Sequence, residues 1–457
     1  MTTGTPSVFL SVAQTVRGLL ERSRVPGVAI GIVSGEETYL GGFGMTNIEE
    51  PAPITPDTLF RVASITKLIT ATAVMRLVDM GKLEVDAPVR RYITDLQLDS
   101  PAVTEEVTLR HLFTHTLGLA APPPKVDHSD SALKAYVSAL SETRRVFALG
   151  ESWSYGNVGS AVAGRVIELV TGKIFDAAVR ELVLDPLGME HSVFFAEEAV
   201  SYTTAAPHIL TDAGASVLHR RGVRGSPSPT PASGLFSTAR DLLKFARFHL
   251  GDGTTERGER LMSRESLEFM RQPQTAGGSH GIAWFRERTR LPGQVGHTGG
   301  APGFLSELSI IPSRRFAVVV LTNAAPPNDG LLAYRAMGIM DSGGPLGLVG
   351  WAAAVFAETR EPADVELSMT DEQLAGYVGS YSGWDDIDVR AEGRRLSLLL
   401  HATDPSLSAR TTAALYGGDR IRLLDGPGEG ARGEFLRGPD RTVTGLRLPV
   451  FVMQRQH

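Results

Sequence analysis

The alternation of apolar and polar positions divides the chain into strand-rich ends around a helical middle. Over residues 8–24 the apolar residues Phe9, Val12, Val16, Leu19 and Leu20 recur at helical spacing, and Pro26-Gly27 ends the run. GVAIGIV and ETYLGGFG follow as two strands joined at Ser34-Gly35-Glu36. After the loop EEPAPITPD, the stretch LFRVASITKLITATAVMRLVDMGKL is too long and too rich in Ala and Leu for a strand. It predicts a buried helix from near Ser64 to Gly81. AVAGRVIELVTGK is a helix with Gly172 as its C-cap, and FSTARDLLKFARFHLGDG one with Ser237 or Thr238 as its N-cap. Beyond about residue 280 strands return as GIAWF, GQVGHTG, LSELSII and FAVVVLTN, with a turn at Pro312-Ser313-Arg314 and a closing helix over 328–341.

Strands at both ends predict one antiparallel sheet built from the two ends and flanked by helices, an α+β (α/β) domain over residues 1–345 in two or three layers. The Gly- and Pro-rich DSGGPLGLVG marks a linker, 346–369. Over 370–457 the segments YVGSYSG, DIDVRAE, RRLSLLLH, ARTTAALYG, DRIRLLDG, GEFLRG and TVTGLRLPVFVMQ alternate at even spacing. They predict a small antiparallel β-barrel, with a sandwich as the alternative.

Composition removes several classes of function. The 457 residues carry a net charge of -6, so no basic surface points to nucleic acid. The chain has no cysteine, which excludes disulfides, thiolate zinc sites and a cysteine nucleophile. Its start, MTTGTPSVFL, is polar and uncharged, unlike a secretory leader, and no run approaches the ~20 apolar residues of a membrane span. These features predict a cytoplasmic protein that takes a small-molecule or peptide substrate and binds neither nucleic acid nor membrane. A homodimer is left open.

The candidate chemistry begins with serine and lysine. A nucleophilic serine needs a base within hydrogen-bond reach, and positions i and i+3 share a helix face. Two of the six lysines follow a serine at that spacing, in Ser64-Ile65-Thr66-Lys67 and Ser131-Ala132-Leu133-Lys134. Ser131 lies in a polar stretch and reads as a helix cap with Lys134 exposed. Lys67 lies in an apolar helix, where burial lowers the pKa of an amine and makes it a base near neutral pH. Spacing and context alone leave two readings of Ser64 and Lys67, a catalytic pair or an N-cap beside a snorkelling lysine. His111 and His115, four apart, lack a following Glu and a third ligand, so a structural role is preferred and no metal is expected. No G-x-S-x-G elbow, P-loop or dinucleotide fingerprint is present, and no cofactor is implied.

Ser-Ile-Thr-Lys at 64–67, Tyr155-Gly156-Asn157 and His297-Thr298-Gly299 together resemble, in order and separation, the three motifs of the serine β-lactamase and penicillin-binding protein superfamily, on its class C side. Of nine tyrosines only Tyr155 has Asn two residues on, and of eleven histidines only His297 has Gly two residues on. TPDTLFRVASITK, LRHLFTHTLGL, PLGME and PASGLFSTARDL add to the likeness, which covers roughly residues 8–341. The resemblance implies a transpeptidase-like fold and a serine acyl-enzyme. It makes Ser64 the nucleophile, Lys67 its proton acceptor and Tyr155 the base that returns the proton. Asn157 would hold Lys67 and the substrate carbonyl. The backbone N–H groups of Ser64 and Gly300 would form the oxyanion hole, with His297, Thr298 and Gly299 lining the substrate side. β-Lactamases usually carry Lys where His297 stands. A lysine offers a permanent cation to a substrate carboxylate, whereas histidine offers a directional N–H. That departure favours an esterase or D-aminopeptidase/amidase-like hydrolase. A penicillin-binding-protein-type acyltransferase that cyclises nonribosomal peptides, a β-lactamase or DD-peptidase, and a non-catalytic acyl-binding sensor are the alternatives. The C-terminal module resembles the lipocalin-like domain attached to some of these enzymes.

Overall fold

A computed structural model of the chain describes residues 7–119, 131–143, 145–211, 216–220, 230–275, 277–286, 292–325, 348, 352, 366–383, 386–401, 408–426, 429, 432–448 and 451–456. Strands from the two ends of the first domain do share one antiparallel sheet. Its strands are β1 (Gly27–Ser34), β2 (Glu37–Gly44), β3 (Phe285–Arg286), β4 (Val295–Ala301), β5 (Phe304–Ile311) and β6 (Phe316–Thr322), in the order β2-β1-β6-β5-β4-β3. β1 and β6 lie at the centre, with Ile30 opposite Val320. Both read as continuous apolar runs because both faces are covered. Val28, Ile30 and Ile32, with Val318 and Val320, pack toward helix α1 (Ser7–Ser23), which buries Val12, Val16 and Leu19. Ala29, Val33, Val319 and Leu321 face the larger helical core.

That core holds α2 (Thr66–Asp79), α3 (Leu109–Phe113), α4 (Val158–Thr171) and α5 (Ala239–Leu250). α2 is buried on nearly every face, and its buried Thr66, Thr70 and Thr72 hydroxyls are hydrogen-bonded. Gly172 caps α4 in the left-handed conformation, and Thr238 caps α5 by accepting from the Asp241 backbone N–H. α4 starts against the end of α3 through Gly159, where a Cβ would fall 2.2 Å from the Leu112 carbonyl oxygen.

The C-terminal module is a closed eight-stranded antiparallel barrel, from Gly379–Gly383 to Phe451–Arg455, sealed by the pairing of Tyr381 with Arg455. Closure removes both sheet edges, which a sandwich would leave exposed. Tyr381, Ile387, Leu398, Leu400, Leu446 and Met453 are among its buried side chains. Two expectations need correction. GIAWF is strand only at Phe285, because Ala283 takes a left-handed φ of 63° and Trp284 turns into the helical core. TVTGLRLPVFVMQ forms two strands, Val443–Leu448 and Phe451–Arg455, paired with each other. The expected helix over 328–341 and nearly all of the 346–369 linker lie outside the described residues. Among the described residues no helix is long and apolar enough to cross a membrane.

The tight α3–α4 approach sets the first test. Gly159→Ala is expected to cost on the order of 1–3 kcal/mol through overpacking, measured by denaturant unfolding. An unchanged midpoint would show that α4 can retreat freely from Leu112.

Candidate active site

Ser64 sits where the helical layer meets the sheet. Ala63–Ile65 makes one 3-10 turn that runs into α2. Ala63 takes a left-handed φ of 45°, a conformation that costs a residue with a Cβ about 1–2 kcal/mol. Neighbouring bonds hold it there. Val62 N–H donates to the Leu235 carbonyl at 3.0 Å, and the Ser306 hydroxyl donates to the Val62 carbonyl at 2.8 Å. Lys67, one turn on, is only 1% exposed. Its Nζ donates to Ser64 Oγ at 3.1 Å, to Asn157 Oδ1 at 2.7 Å and to the Ala232 carbonyl at 3.0 Å. Burial pushes its pKa well below the ordinary lysine value.

Each partner of Lys67 is delivered by a separate element. Asn157 is the N-cap residue of α4. Ala232 lies in the short turn Thr230–Ser233, tied to α2 by Thr70 Oγ1 donating to the Pro231 carbonyl at 2.7 Å. Leu235 N–H also donates to Thr66 Oγ1 at 3.1 Å. Tyr155 stands over the lysine, with Nζ 4.8 Å from the ring centroid. Its ring is 4.7 Å from His115, 5.8 Å from His297 and 5.9 Å from Phe285, centroid to centroid.

β4 closes the other side. Gly299 is buried there, and a Cβ would lie 2.2 Å from the Val62 carbonyl oxygen, 2.3 Å from Ser306 Oγ and 3.1 Å from Ser64 N. Only glycine lets the strand pass this close to the serine. Gly300, next along, is exposed. Thr298 pairs with buried Glu307, on the opposite face of the strand from His297 and Gly299, so it stands apart from the serine group. His297 is buried with Nδ1 2.6 Å from the Thr298 carbonyl oxygen. A carbonyl only accepts, so Nδ1 carries a proton. The directional N–H expected of His297 is therefore used on its own backbone.

A model of the family described as Beta-lactamase matches residues 12–339. The chain belongs to the β-lactamase family. This is a family of serine hydrolases with penicillin-binding protein and esterase branches. Penicillin-binding protein 4 of Amycolatopsis lactamdurans is 29% identical over 319 residues, covering 65% of this chain and 81% of that protein. Esterase EstB of Burkholderia gladioli is 34% identical over 260 residues, covering 50% of this chain and 66% of the esterase. The crystal structure of SurE matches with a TM-score of 0.72 at 22% identity, over 98% of this chain and 99% of that one. That likeness of fold extends through the barrel.

The barrel reaches the ring cluster around Tyr155 through residues that no motif points to. Arg447 is 8% exposed and sets its guanidinium 4.2 Å from the centroid of the Trp153 ring. It donates to Ser152 Oγ at 3.2 Å and pairs with Glu434. Trp153 in turn stacks edgewise on His280, with centroids 4.2 Å apart. Burial, helped by Arg447, pushes the His280 pKa down to about 3. Trp284 and Phe304 are core residues, while half-buried Trp153 is the tryptophan at the site. Among the described residues no group of three or more His, Cys, Asp or Glu side chains is placed to hold a metal ion. His111 is bound to Thr108 at the start of α3, away from His115.

The buried amine has a signature in stability. Folded Lys67 binds its proton more weakly than an ordinary lysine at ~10.4. Between the depressed folded value and ~10.4 the unfolded chain holds more protons, so unfolding free energy rises with pH. Lys67→Met keeps the bulk and removes the titration. The wild type is expected to gain stability relative to this variant as pH rises through that window, read from denaturant unfolding of both. Parallel pH curves would mean that Lys67 titrates as it does in the unfolded chain.

Proposed function

We propose that the protein is a serine hydrolase that forms an acyl-enzyme on Ser64 from an uncharged ester or amide. One observation carries the reading, the three-acceptor cradle of buried Lys67. A neutral amine has two N–H donors and one lone pair. The Asn157 and Ala232 carbonyl oxygens take the two donors, because they can only accept. Once the amine is neutral, its lone pair is left toward Ser64 Oγ, which reverses the bond the ammonium donates there and lets the amine receive the hydroxyl proton. The cradle thus sets the direction of the base, while burial favours its neutral form.

In the reaction, Ser64 Oγ attacks the carbonyl carbon as its proton passes to Lys67. The carbonyl π pair moves onto oxygen, held by the backbone N–H groups of Ser64 and exposed Gly300. Each such donor is worth about 3 kcal/mol of barrier lowering. Tyr155, over Lys67, passes the proton to the leaving group as the tetrahedral intermediate collapses. Water then attacks the acyl-enzyme by the same steps in reverse. Asn157 holds Lys67, and His297 with Gly299 lines the substrate side. His297 stands where β-lactamases usually carry a lysine, so no permanent cation is offered there to a carboxylate, and an ester or amide is preferred to a β-lactam or a DD-peptide. The identity to an esterase is consistent with that choice.

Intact-protein mass spectrometry with p-nitrophenyl acetate tests this directly. The wild type is expected to carry a transient single acyl adduct and release nitrophenolate. Ser64→Ala is expected to lose both, with turnover down by on the order of 10^4 or more. Wild-type protein without adduct or turnover, across several acyl lengths, would overturn the hydrolase reading. Product formed mainly by transfer to an added amine would replace hydrolysis with acyl transfer.

A further inference from the structure

His111 and His115 are one helical turn apart in sequence, yet only His115 reaches the active site. It lies just past the end of α3 with a left-handed φ of 58°. Strain of this kind persists only where surroundings hold it. Here the His115 carbonyl accepts the Ser154 N–H at 2.9 Å, the Thr116 carbonyl accepts Gly150 N–H at 2.9 Å, and the Gly118 carbonyl accepts Val146 N–H at 2.7 Å. The segment after α3 is thereby laced to the loop that carries Tyr155. The His115 ring, 6% exposed as a residue, ends 4.7 Å from the Tyr155 ring at an interplanar angle of 52°. His280 lies 5.7 Å away on another side, and Phe285 lies 6.3 Å away.

We propose that His115 is a positioning residue for Tyr155, whose ring and left-handed backbone together fix the phenol over Lys67. Both properties are needed at one position. Among residues with a flat ring, histidine is the one enriched in the left-handed region; bulky aromatics there are outliers. The charged or titratable groups acting on His115 are His280, Lys67 and His297, with Tyr155 against its face and Arg447 beyond His280. None is a carboxylate. Burial first, then these groups, push the imidazole pKa well below its ordinary value, so the ring stays neutral and places no charge of its own against the phenol.

This inference rests on Tyr155 carrying the proton. Two variants separate ring from backbone. His115→Asn keeps left-handed tolerance and removes the ring; His115→Phe keeps a ring and loses that tolerance. With p-nitrophenyl acetate, His115→Asn is expected to unfold near the wild-type temperature and lose tenfold or more in kcat. KM should stay within twofold and the kcat pH profile should shift. His115→Phe is expected to be less stable but to recover most of the lost kcat. Wild-type kcat and pH profile in His115→Asn would overturn the proposal, as would a loss no larger than the loss of folded protein. Ultraviolet titration of the Tyr155 phenol, isolated by subtracting Tyr155→Phe, gives an answer even if the wild type shows no esterase activity. A midpoint that moves in His115→Asn is expected, and an unmoved one overturns the proposal.

Discussion

The rest of the site depends on the burial of one amine. An ammonium taken out of water without a carboxylate partner is among the costliest groups a core can hold. The chain accommodates Lys67 by surrounding it with oxygen acceptors from the turn that leads into α2, from the cap of α4 and from the Thr230–Ser233 turn. Those acceptors lie 90 and 165 residues along the chain from Lys67, apart from the serine 3 residues before it. The need to satisfy one group therefore fixes how three parts of the helical layer meet. Burial also lowers the proton affinity of that group.

A second constraint is distance. β4 comes so close to the turn that carries Ser64 that a Cβ at Gly299 would lie 3.1 Å from Ser64 N. Gly299 permits that approach, and Ser306 pins the chain before the serine to the neighbouring strand. The left-handed Ala63 sits at the junction. Its strain is local, while the bonds that hold it come from β5 and from Leu235. Strained backbone is also found at His115, the other residue whose carbonyl ties a loop of the site in place. Both positions fit the rule that unusual backbone survives where several contacts over-determine it.

The elements with simple periodicity were legible in the sequence. Helices α1, α2, α4 and α5 and the strands of the sheet follow from spacing 3.6 or from β-branched runs, because burial of one or both faces imposes that spacing. GIAWF failed because Trp284 is drawn into the helical core, a tertiary demand that no local pattern contains. The serine motifs were legible as an ordered set, although Tyr155 or His297 alone reads as ordinary packing. Thr298 was read as part of the site from its motif, and it stands on the opposite face of β4 from His297 and Gly299. The third acceptor of Lys67 was invisible, since a backbone carbonyl has no residue signature and Ala232 is an alanine.

The same limit explains the barrel. Its strands could be read from alternation, but the place of Arg447 could not, since Ser152 is 295 residues away in the chain. The guanidinium reaches Trp153 and Ser152 only because closure of the barrel carries the strand Val443–Leu448 to the edge of the catalytic domain. There the buried apolar residues of α1, the outer sheet face and the barrel form one contiguous cluster. Arg447 remains bound to Glu434 of its own module, which compensates most of its charge. Its contribution to the ring cluster is thus mainly a flat surface against Trp153 and, through it, against His280. The two domains meet through stacked rings that continue to Phe285 and Tyr155, so the position of the barrel and the position of the phenol are set by one packed array.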